Sequence, residues 1–313
     1  MKNKQFAQWY MKNSLSYLKP EIVQEKNPVD FPLILNIDVT NACNLACKVC
    51  PHSFQKMDIG YMDFSLYKDI INECRSYGKL ITLNLHLVGE PLLHPKIADM
   101  VKYAKETDAA EIVHFNTNAV PLTETMSKNL ISSGLDDFTC SVDAATETTF
   151  KALKRSSKYT QVEKNIKNFI QIRNKMKYDK PFARVKFMRY HENEHEVPLF
   201  VEKWNGIADE VQINEVHDWC GLIKMGGDTP NFKREPCPFL WYSLTVNWNG
   251  KVSLCCLDWN CKMVVGDFLK NSLHEIWTGE AMKRIRDIHL SGDLSSLPYC
   301  NKCNVLLEHQ KRK

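Results

Sequence analysis

Residues 33–52 read LILNIDVTNACNLACKVCPH, an apolar, β-prone run that leads directly into Cys43, Cys47 and Cys50. Thiolates are the soft ligands that iron–sulfur clusters require, and a loop that folds back brings three of them onto three irons. The fourth iron of such a cluster then stays open to a small molecule. A structural zinc site needs four protein ligands, and this loop offers three cysteines and His52. A disulfide would leave one of the three cysteines unpaired.

The spacing of Cys43, Cys47 and Cys50 resembles the signature of the radical S-adenosylmethionine (SAM) enzymes. The resemblance implies that the open iron chelates the amino and carboxylate groups of SAM. It also implies reductive cleavage of SAM to methionine and a 5′-deoxyadenosyl radical, which abstracts a hydrogen atom from the substrate. Many family members carry an aromatic residue just before the third cysteine. Val49 stands there in this chain, so side-chain stacking on adenine is lost at that position.

The composition of the chain predicts a cytoplasmic protein with a large core. At 313 residues and 44% apolar, the chain has room for one large domain and a smaller one. The net charge of +4 is spread without a basic block, so nucleic acid is not an expected partner. No run approaches the length of a membrane span, and the N-terminus lacks the apolar core of a signal peptide. In a reducing compartment, 12 cysteines indicate metal binding rather than disulfides.

Strand and helix patterns alternate along residues 31–222, after a predicted N-terminal helical extension at residues 1–30. The predicted strands are Leu33–Val39, Leu80–Leu87, Glu111–Asn116, Asp137–Val142, Ala183–Arg189 and Glu210–Asn214. The predicted helices are Ser65–Tyr77, Pro95–Thr107, Thr123–Ser133, Thr146–Leu153, Tyr159–Lys175 and Glu194–Trp204. Such alternation predicts an α/β fold with a parallel sheet and right-handed crossovers. The family resemblance implies a partial (β/α)6, TIM-like barrel whose ligand lies at the carboxyl ends of the strands.

The residues after the second predicted strand indicate a ligand-binding loop. Gly89 lets the backbone approach a ligand closely, and the Glu90 carboxylate can receive an ammonium group. In the radical SAM family this is the "GGE" position that contacts the SAM amino group, with Val88 in place of the first glycine here. A lone Gly-Glu-Pro is a common turn, but its place one unit after the cysteine loop favours SAM binding.

Polar residues also follow the third and fourth predicted strands. Asn116 and Asn118 lie in a segment that resembles the "TNG" sequence of relatives, although both also suit an ordinary turn. Ser141 and Asp143 resemble the family's "S-[IV]-D" sequence, where polar side chains approach SAM or the substrate, and their alternation places them on one face. Arg155 resembles an arginine that many relatives hold near SAM, where its fork can pair with the methionyl carboxylate.

Other basic residues of this region have two open interpretations. Lys154 is expected to be solvated at a helix end, in contrast to its neighbour Arg155. The fifth predicted strand alternates basic with apolar residues, beginning with Arg184 and Lys186. If this basic face points into the barrel, it suggests a polar or anionic substrate group. It could equally face solvent at the open edge of an incomplete barrel.

A second group of cysteines follows in residues 230–313, where the pattern changes to short strands and turns. Segments Ser243–Trp248 and Lys251–Cys255 predict a hairpin with an Asn-Gly turn. The cysteines of this region are Cys237, Cys255, Cys256, Cys261, Cys300 and Cys303. Two ligands from the hairpin and two from the Cys-x-x-Cys pair would complete a closed four-thiolate site. Zinc fits that ligand set as well.

This region resembles the SPASM or twitch extension of radical SAM enzymes, a small α+β domain that binds auxiliary 4Fe–4S clusters. The resemblance rests on Gly250-x-x-x-x-Cys255, Cys256-Leu257-Asp258, Gly266-Asp267, residues 272–277 and the terminal Cys-x-x-Cys. Full SPASM domains continue with further cysteines, whereas ten residues follow Cys303 here. The resemblance therefore implies one auxiliary cluster, ligated by Cys237, Cys255, Cys300 and Cys303.

The remaining cysteines have less specific interpretations. Cys256 and Cys261 are candidate hydrogen donors to a substrate radical, alternative cluster ligands, or inert side chains. Cys74, Cys140 and Cys220 have no metal-like spacing, so we expect buried free thiols at these positions.

These features predict a radical SAM oxidoreductase or epimerase. If a closed auxiliary cluster accepts an electron, the substrate is oxidised, and if a nearby thiol returns hydrogen to the opposite face, it is epimerised. The leading hypothesis is a hydroxylated small molecule of the sugar or cyclitol type, because no peptide-recognition domain is expected before Leu33. The expected protein partner is a reductant such as flavodoxin or ferredoxin.

Two alternatives stay open at this point. Many SPASM relatives modify ribosomally made peptides and often carry an N-terminal winged-helix domain for the peptide. We expect thirty residues to be too few for such a domain, although a separate partner protein could supply it. The more distant alternative is a non-catalytic iron–sulfur or zinc protein, which would have no use for an open iron beside Gly89 and Glu90.

Overall fold

The computed structural model describes residues 30–223 and 236–303. The predicted extension at residues 1–30 lies outside the described residues except for its last position, and so does the chain after Cys303. The described residues form a mixed α/β fold in which helices follow the strands of a mainly parallel sheet. The α/β fold with a parallel sheet, predicted from the sequence, is confirmed.

The described strands belong to one sheet. They are β1 (Ile34–Ile37), β2 (Leu80–Asn84), β3 (Ala110–Thr117), β4 (Asp137–Ser141), β5 (Phe182–Arg189), β6 (Glu210–Glu215), β7 (Ser243–Val246), β8 (Lys251–Ser253) and β9 (Val264–Asp267). Their order is β6-β5-β4-β3-β2-β1-β7-β8-β9. Strands β1 to β6 are parallel neighbours in chain order, so their carboxyl ends meet at one edge of the sheet.

Nine α-helices lie in the described residues, of which the first six are close to predicted positions and the last three had no predicted bounds. They are α1 (Phe64–Tyr77), α2 (Ile97–Glu106), α3 (Glu124–Ser132), α4 (Glu147–Lys154), α5 (Tyr159–Lys175), α6 (Val197–Trp204), α7 (Leu273–Thr278), α8 (Glu280–Ser291) and α9 (Pro298–Lys302). Side chains of Asp63, Thr123 and Thr146 accept hydrogen bonds from the first-turn amides of α1, α3 and α4. Each such cap stabilises a helix by about 0.5–2 kcal/mol. Among the described helices, none is both long and apolar enough to cross a lipid bilayer.

Strand β1 has a parallel partner on each side, β2 and β7. The amide of Leu33 donates to the Tyr242 carbonyl at 2.8 Å, and the amide of Asp38 donates to the Val246 carbonyl at 2.9 Å. Strands β7 and β8 form the predicted hairpin, and β9 continues it in antiparallel fashion. The C-terminal region therefore extends the sheet of the barrel, a connection that the sequence analysis did not predict.

The two faces of the parallel sheet differ in polarity. One face packs on the helices through fully buried apolar side chains: Leu35, Ile37, Leu83, Val113, Phe115, Phe138 and Phe187. Alternation along each strand places polar residues on the opposite face, here called the lumen face, which carries Asn36, Asn84, His114, Thr139 and Arg184. A buried polar face needs internal hydrogen-bond partners or a polar ligand.

Candidate active site at the carboxyl ends of the strands

The cysteine loop, residues 41–52, follows β1 and is held by main-chain contacts. The Lys48 amide donates to the Leu153 carbonyl at 2.8 Å, and the Cys50 amide donates to the Cys47 carbonyl at 3.2 Å. Nε2 of His52 lies 2.9 Å from the carbonyl oxygen of Asn41, so His52 braces the loop. The loop is thus fixed by the barrel while its three thiols stay partly exposed.

Main-chain amides donate hydrogen bonds to two sulfur atoms of this loop, an arrangement that favours metal-binding thiolates. The Leu45 amide donates to Cys43 and the His52 amide to Cys50, each from two residues downstream. Burial raises the pKa of the Cys43 thiol to about 12 and that of Cys50 to about 11. Bound irons would supply the positive charge that keeps such buried thiolates deprotonated.

A structural zinc ion and a four-iron cluster differ in the ligands that they take from a protein. Within residues 30–223 and 236–303, no three His, Cys, Asp or Glu side chains converge closely enough to hold one metal ion. A structural zinc ion needs four ligands at bonding distance, whereas a 4Fe–4S cluster is larger and takes one thiolate per iron. The loop supplies three thiolates, the number that a four-iron cluster with one open iron takes from a protein.

Glu90 lies beside the cysteine loop and is 2% exposed. Its carboxylate accepts hydrogen bonds from the Leu92 amide (3.1 Å), the Thr117 hydroxyl (2.6 Å) and the Asn118 amide (2.7 Å). Burial nevertheless raises the pKa of Glu90 to about 7, because these neutral donors compensate only part of the lost hydration. A cationic ligand group at this carboxylate would restore its charge.

Gly89 is required by a close approach of two loops. A Cβ atom at this position would lie 1.9 Å from the carbonyl oxygen of Thr40 and 2.8 Å from that of Ala42. The Glu90 amide donates to the same Ala42 carbonyl at 2.7 Å. The loop after β2 is therefore pressed onto the start of the cysteine loop, which only glycine permits.

Asn118 connects Glu90 to the cysteines. While its amide donates to Glu90, its side-chain Nδ2 donates to Asn44 Oδ1 at 2.8 Å and lies 4.0 Å from the Cys43 sulfur. Glu90, Asn118 and Cys43, all predicted site residues, therefore form one hydrogen-bonded group.

Asp143 is brought to the same edge, although its carboxylate is already occupied. It is 5% exposed, has a left-handed backbone (φ 60°), and accepts hydrogen bonds from the Met188 amide at 2.8 Å and from Lys154 Nζ. Burial opposes the charged form of Lys154, but Asp143 and Cys47 raise its pKa above the usual range. Lys154 therefore holds a positive charge beside Asp143 and the cysteine loop.

The structure reverses the expected places of Lys154 and Arg155. Lys154 is 6% exposed and ion-paired, whereas Arg155 is exposed at the end of α4 with a left-handed backbone (φ 52°). The turn that ends the helix swings Arg155 outward. The sequence contained no signal for this exchange of Lys154 and Arg155, because the two basic residues are adjacent.

The predicted site residue Ser141 lies at the end of β4 and is partly buried.

Asn116 belongs to a hydrogen-bond network on the lumen face rather than to the cysteine loop. Its Nδ2 donates to His86 Nε2 at 2.9 Å, and its Oδ1 lies 3.2 Å from His114 Nε2. Nδ1 of His114 lies 2.9 Å from Asp137 Oδ1, to which Arg184 Nη1 donates at 2.8 Å. The basic face of β5 therefore points into the barrel, and Arg184 is neutralised there.

Lys186 is the basic residue of β5 that has no such partner. Among the described residues, the structure gives its amino group neither an ion pair nor a hydrogen bond. Burial lowers the pKa of Lys186, and the charges of Lys154 and Arg184 add to that effect, against an opposing effect of Asp143. Lys186 is thus available to a ligand on the lumen face.

Two histidines face Lys186. Burial lowers the pKa of His217 to about 4 and that of His86 well below its ordinary value, and Lys186 adds to both effects. Nδ1 of each ring is buried without a hydrogen-bond partner in the described chain. Neutral imidazoles with a free nitrogen can bind the hydroxyl groups of a ligand. Sequence analysis had no signal for His86 and did not select His217.

The second cysteine region brings five thiols together. The auxiliary thiol group consists of Cys237, Cys255, Cys256, Cys300 and Cys303, which perturb one another electrostatically. The Phe239 amide donates to the Cys237 sulfur and the Leu257 amide to the Cys255 sulfur, again from two residues downstream. This repeats the amide–sulfur pattern of the cysteine loop and fits a second cluster.

Two further cysteines lie near these regions. Cys220 is buried, as predicted, and its neighbour Cys303 raises the pKa of its thiol. Cys261 accepts a hydrogen bond from Asn247 Nδ2 at 3.3 Å and is influenced by Asp258 and Asp38 rather than by the auxiliary thiol group. Cys74 and Cys140 are buried, 1% exposed each, as expected.

Two family models match this chain. Residues 37–178 match the radical SAM superfamily, and residues 237–304 match the SPASM iron–sulfur cluster-binding domain. The first range contains the cysteine loop, Glu90 and Asn118, and the second contains the auxiliary thiol group. These domains imply a 4Fe–4S cluster with SAM and auxiliary iron–sulfur clusters.

Curated relatives differ in how much of their length this chain covers. A tungsten-containing aldehyde ferredoxin oxidoreductase cofactor-modifying protein of Pyrococcus furiosus is 28% identical over 165 residues, 52% of this chain and 46% of that protein. The SAM-dependent 2-deoxy-scyllo-inosamine dehydrogenase of Niallia circulans is 23% identical over 275 residues, 87% of this chain and 92% of that protein. The chain thus spans about half or less of the first relatives it matches.

Solved structures share the fold over most of the chain. BtrN in complex with AdoMet and 2-DOIA matches with a TM-score of 0.58 and 18% identity, covering 88% of this chain and 93% of BtrN. Streptococcus suis SuiB bound to the precursor peptide SuiA matches with a TM-score of 0.67 and 15% identity, covering 84% of this chain and 68% of SuiB. At these identities the likeness is one of fold.

Proposed function

Because the chain belongs to the radical SAM superfamily and carries a SPASM iron–sulfur domain, we propose that it oxidises or epimerises a hydroxylated small molecule of the sugar or cyclitol type. The observation that carries the proposal is the adjacency of two polar regions. Glu90, Asn118 and Cys43 form one hydrogen-bonded group, and Lys186 on the lumen face has no ion pair or hydrogen bond within residues 30–223 and 236–303. The first suits SAM and the second a polar substrate.

The cysteine loop and its neighbours bind the cofactors in this proposal. When bound, the cluster and SAM supply a 5′-deoxyadenosyl radical that removes hydrogen from an unactivated carbon. Cys43, Cys47 and Cys50 hold the cluster, while Glu90 receives the SAM ammonium group. Lys154 offsets the negative charge that the thiolates add beside Asp143.

Residues of the lumen face orient the substrate. Lys186 binds a hydroxyl or anionic oxygen, and the free Nδ1 atoms of His86 and His217 bind further hydroxyls. The network around Asn116 and Arg184 fixes these groups, because its members are largely satisfied by one another. Substrate hydroxyls in this position would displace water from the reacting carbon.

The auxiliary thiol group holds one further 4Fe–4S cluster through Cys237, Cys255, Cys300 and Cys303. Cys256 lies within the same group, and Cys261 lies beneath the hairpin next to Asn247. Their roles as hydrogen donors in an epimerisation stay predictions. Electrons for SAM cleavage come from a reductant such as flavodoxin or ferredoxin.

A peptide substrate is the second candidate. Its support is the fold similarity to SuiB, which was solved with its precursor peptide, over 84% of this chain. The relative named for a dehydrogenase of 2-deoxy-scyllo-inosamine covers 87% of this chain and 92% of that protein, and it favours the small molecule. The chemistry of the cysteine loop is the same under both.

The test begins with the anaerobically reconstituted full chain. Two four-iron clusters give about eight irons per chain. Reduced protein with SAM should release 5′-deoxyadenosine, and a Cys47→Ala control should release none. A panel of aminocyclitols, polyols and short peptides then identifies which class raises that release and is consumed.

The products separate the reactions. A product oxidised by two electrons indicates dehydrogenation, and solvent deuterium in the product indicates epimerisation. Turnover of peptides alone would contradict the small-molecule proposal. Failure of the reduced protein to release 5′-deoxyadenosine would contradict radical chemistry altogether.

A further inference from the structure

The lumen face carries a row of side chains that satisfy one another. Thr139 on β4, Arg184 on β5 and Glu210 on β6 are register partners across the three strands. Arg184 donates to the Thr139 hydroxyl at 3.2 Å and to the Glu210 carboxylate at 2.9 Å. This row, here called the closed row, therefore contains a hydroxyl, a cation and a carboxylate that neutralises the cation.

The next row towards the carboxyl ends of the same strands lacks such contacts. Ser141, Lys186 and Gln212 are register partners that lie two residues beyond the members of the closed row. Alternation along each strand therefore places them on the lumen face as well. All three are partly buried, and within residues 30–223 and 236–303 their side chains form no hydrogen bond or ion pair. These three residues are here called the open row.

The two rows differ in the residue that β6 contributes. Strand β6 supplies the Glu210 carboxylate to the closed row but the Gln212 amide to the open row, so Lys186 has no carboxylate beside it there. The Asp143 carboxylate, just beyond β4, acts on Lys186 electrostatically, but it is already ion-paired with Lys154. The open row therefore holds a positive charge that no ion pair in the described part of the chain neutralises.

Two neutral rings border this charge. His86 and His217 are electrostatic neighbours of Lys186, and Nδ1 of each ring is buried without a hydrogen-bond partner among the described residues. Buried polar groups lose their bonds to water, and a polar ligand can replace those bonds. The lumen face thus offers one cation and several hydrogen-bonding groups to a single ligand.

We propose that the open row binds an anionic group of the substrate, a carboxylate or a phosphate, which takes the place that the Glu210 carboxylate has in the closed row. Lys186 neutralises this group, and the Ser141 hydroxyl and the Gln212 amide donate hydrogen bonds to its oxygens. Neighbouring strands lie about 4.8 Å apart, so one such group can reach all three side chains. The inference rests on the proposed function and narrows its substrate to an acid or a phosphate ester of the sugar or cyclitol type.

The experiment compares three ligands that share a ring and differ in charge: glucose, glucuronate and glucose 6-phosphate. Each is titrated into the reconstituted full chain with SAM bound, at constant ionic strength, and its Kd is measured by calorimetry. At least one of the two anions should bind roughly 10–150-fold more tightly than glucose, as expected for a charge-assisted hydrogen bond. Equal behaviour of the three ligands would overturn the inference.

Variants test the open row itself. Lys186→Met should abolish the preference for anions, and Lys186→Arg should retain part of it. Gln212→Glu supplies the missing carboxylate, so it should abolish the preference and also raise the midpoint of denaturant unfolding of the ligand-free chain, whereas Gln212→Met should not raise that midpoint. Lys164→Met, at an exposed position on α5, is the matched control and should bind all three ligands as the wild type does.

Three outcomes separate this inference from its alternatives. A preference for anions that persists in Lys186→Met would overturn it, and so would an unchanged unfolding midpoint in Gln212→Glu. The Kd for SAM alone should be the same in Lys186→Met and the wild type; an equal loss of SAM affinity would assign the open row to the methionyl carboxylate and overturn the inference. A protein that binds anions through Lys186 but releases no 5′-deoxyadenosine would instead contradict the proposed function.

Discussion

The two cysteine regions of this molecule differ in what surrounds their thiols. Lys154, Asp143 and Glu90 act electrostatically on the cysteine loop, where Asn118 also reaches Cys43. Among the described residues, the electrostatic neighbours of the auxiliary thiol group are mainly its own cysteines. This difference supports the proposal that the cysteine loop binds a charged ligand and that the auxiliary thiol group holds a closed cluster.

Both regions share one local hydrogen bond. In each, a main-chain amide donates to the sulfur of the cysteine two residues before it. Such bonds favour thiolate ligands in general and do not distinguish an open cluster from a closed one. The distinction therefore comes from long-range neighbours, which substitutions can remove one at a time.

Removing thiols from either region gives the largest expected effect. Cys47→Ala should lose about half the iron and all release of 5′-deoxyadenosine, because one ligand of the open cluster is gone. Cys300→Ala should lose the other half while SAM cleavage persists. Iron analysis and chromatography of 5′-deoxyadenosine check both variants. Equal loss of SAM cleavage in the two variants would contradict the proposed difference between the two clusters.

Substituting the buried lysine tests the charge that is special to the cysteine loop. Lys154→Met leaves the Asp143 carboxylate, 5% exposed, without its ion pair and should lower the free energy of unfolding by about 3–5 kcal/mol. The neighbouring Arg155→Met, on an exposed side chain, should change it by less than about 0.5 kcal/mol. Denaturant titrations compare the two, and similar losses would contradict the geometry.

Glu90→Gln tests whether the Glu90 carboxylate binds the ammonium group of SAM beside the cysteine loop. Loss of a charge-assisted hydrogen bond costs about 1.5–3 kcal/mol, so the Kd for SAM should rise by roughly 10–150-fold. In the wild type, burial raises the pKa of Glu90 to about 7, and SAM binding should weaken as the pH falls through that value. The variant should lack this pH dependence in calorimetric titrations. A wild-type profile flat between pH 6 and about 8 would disprove the role of Glu90.

Asp38 tests the junction between the two regions, and the change expected from it over one pH unit is the smallest of these effects. It is 1% exposed, and burial raises its pKa to about 8, so the folded chain keeps a proton that the unfolded chain releases near pH 4. As the pH rises from about 4 to about 8, the free energy of unfolding of the metal-free protein should therefore fall by up to about 1.4 kcal/mol per pH unit. Asp38→Asn should remove that contribution to the slope, and an unaltered slope would contradict it.

Sequence reasoning located the elements because strand and helix patterns are local. Spacing identified the cysteine loop, and Gly89 and Glu90 followed from a short motif. The sequence pattern could not distinguish the inward-pointing Lys154 from the exposed Arg155, because the last helical turn decides which of the two side chains points inward. The proximity of Cys220 to Cys303 was not predicted, because the two residues are far apart in sequence. The lumen network was missed for the same reason, as its bonds join β3, β4 and β5 to His86, which follows β2.

The pairing of β7 with β1 has a consequence for electron transfer. One strand, β1, leads into the cysteine loop and also hydrogen-bonds the strand that Cys237 precedes. The cysteine loop and the auxiliary thiol group are thereby connected through one hydrogen-bonded sheet in the described residues. Electrons passing between the two proposed clusters would then cross a path whose length this strand pairing helps to hold, whatever molecule occupies the barrel.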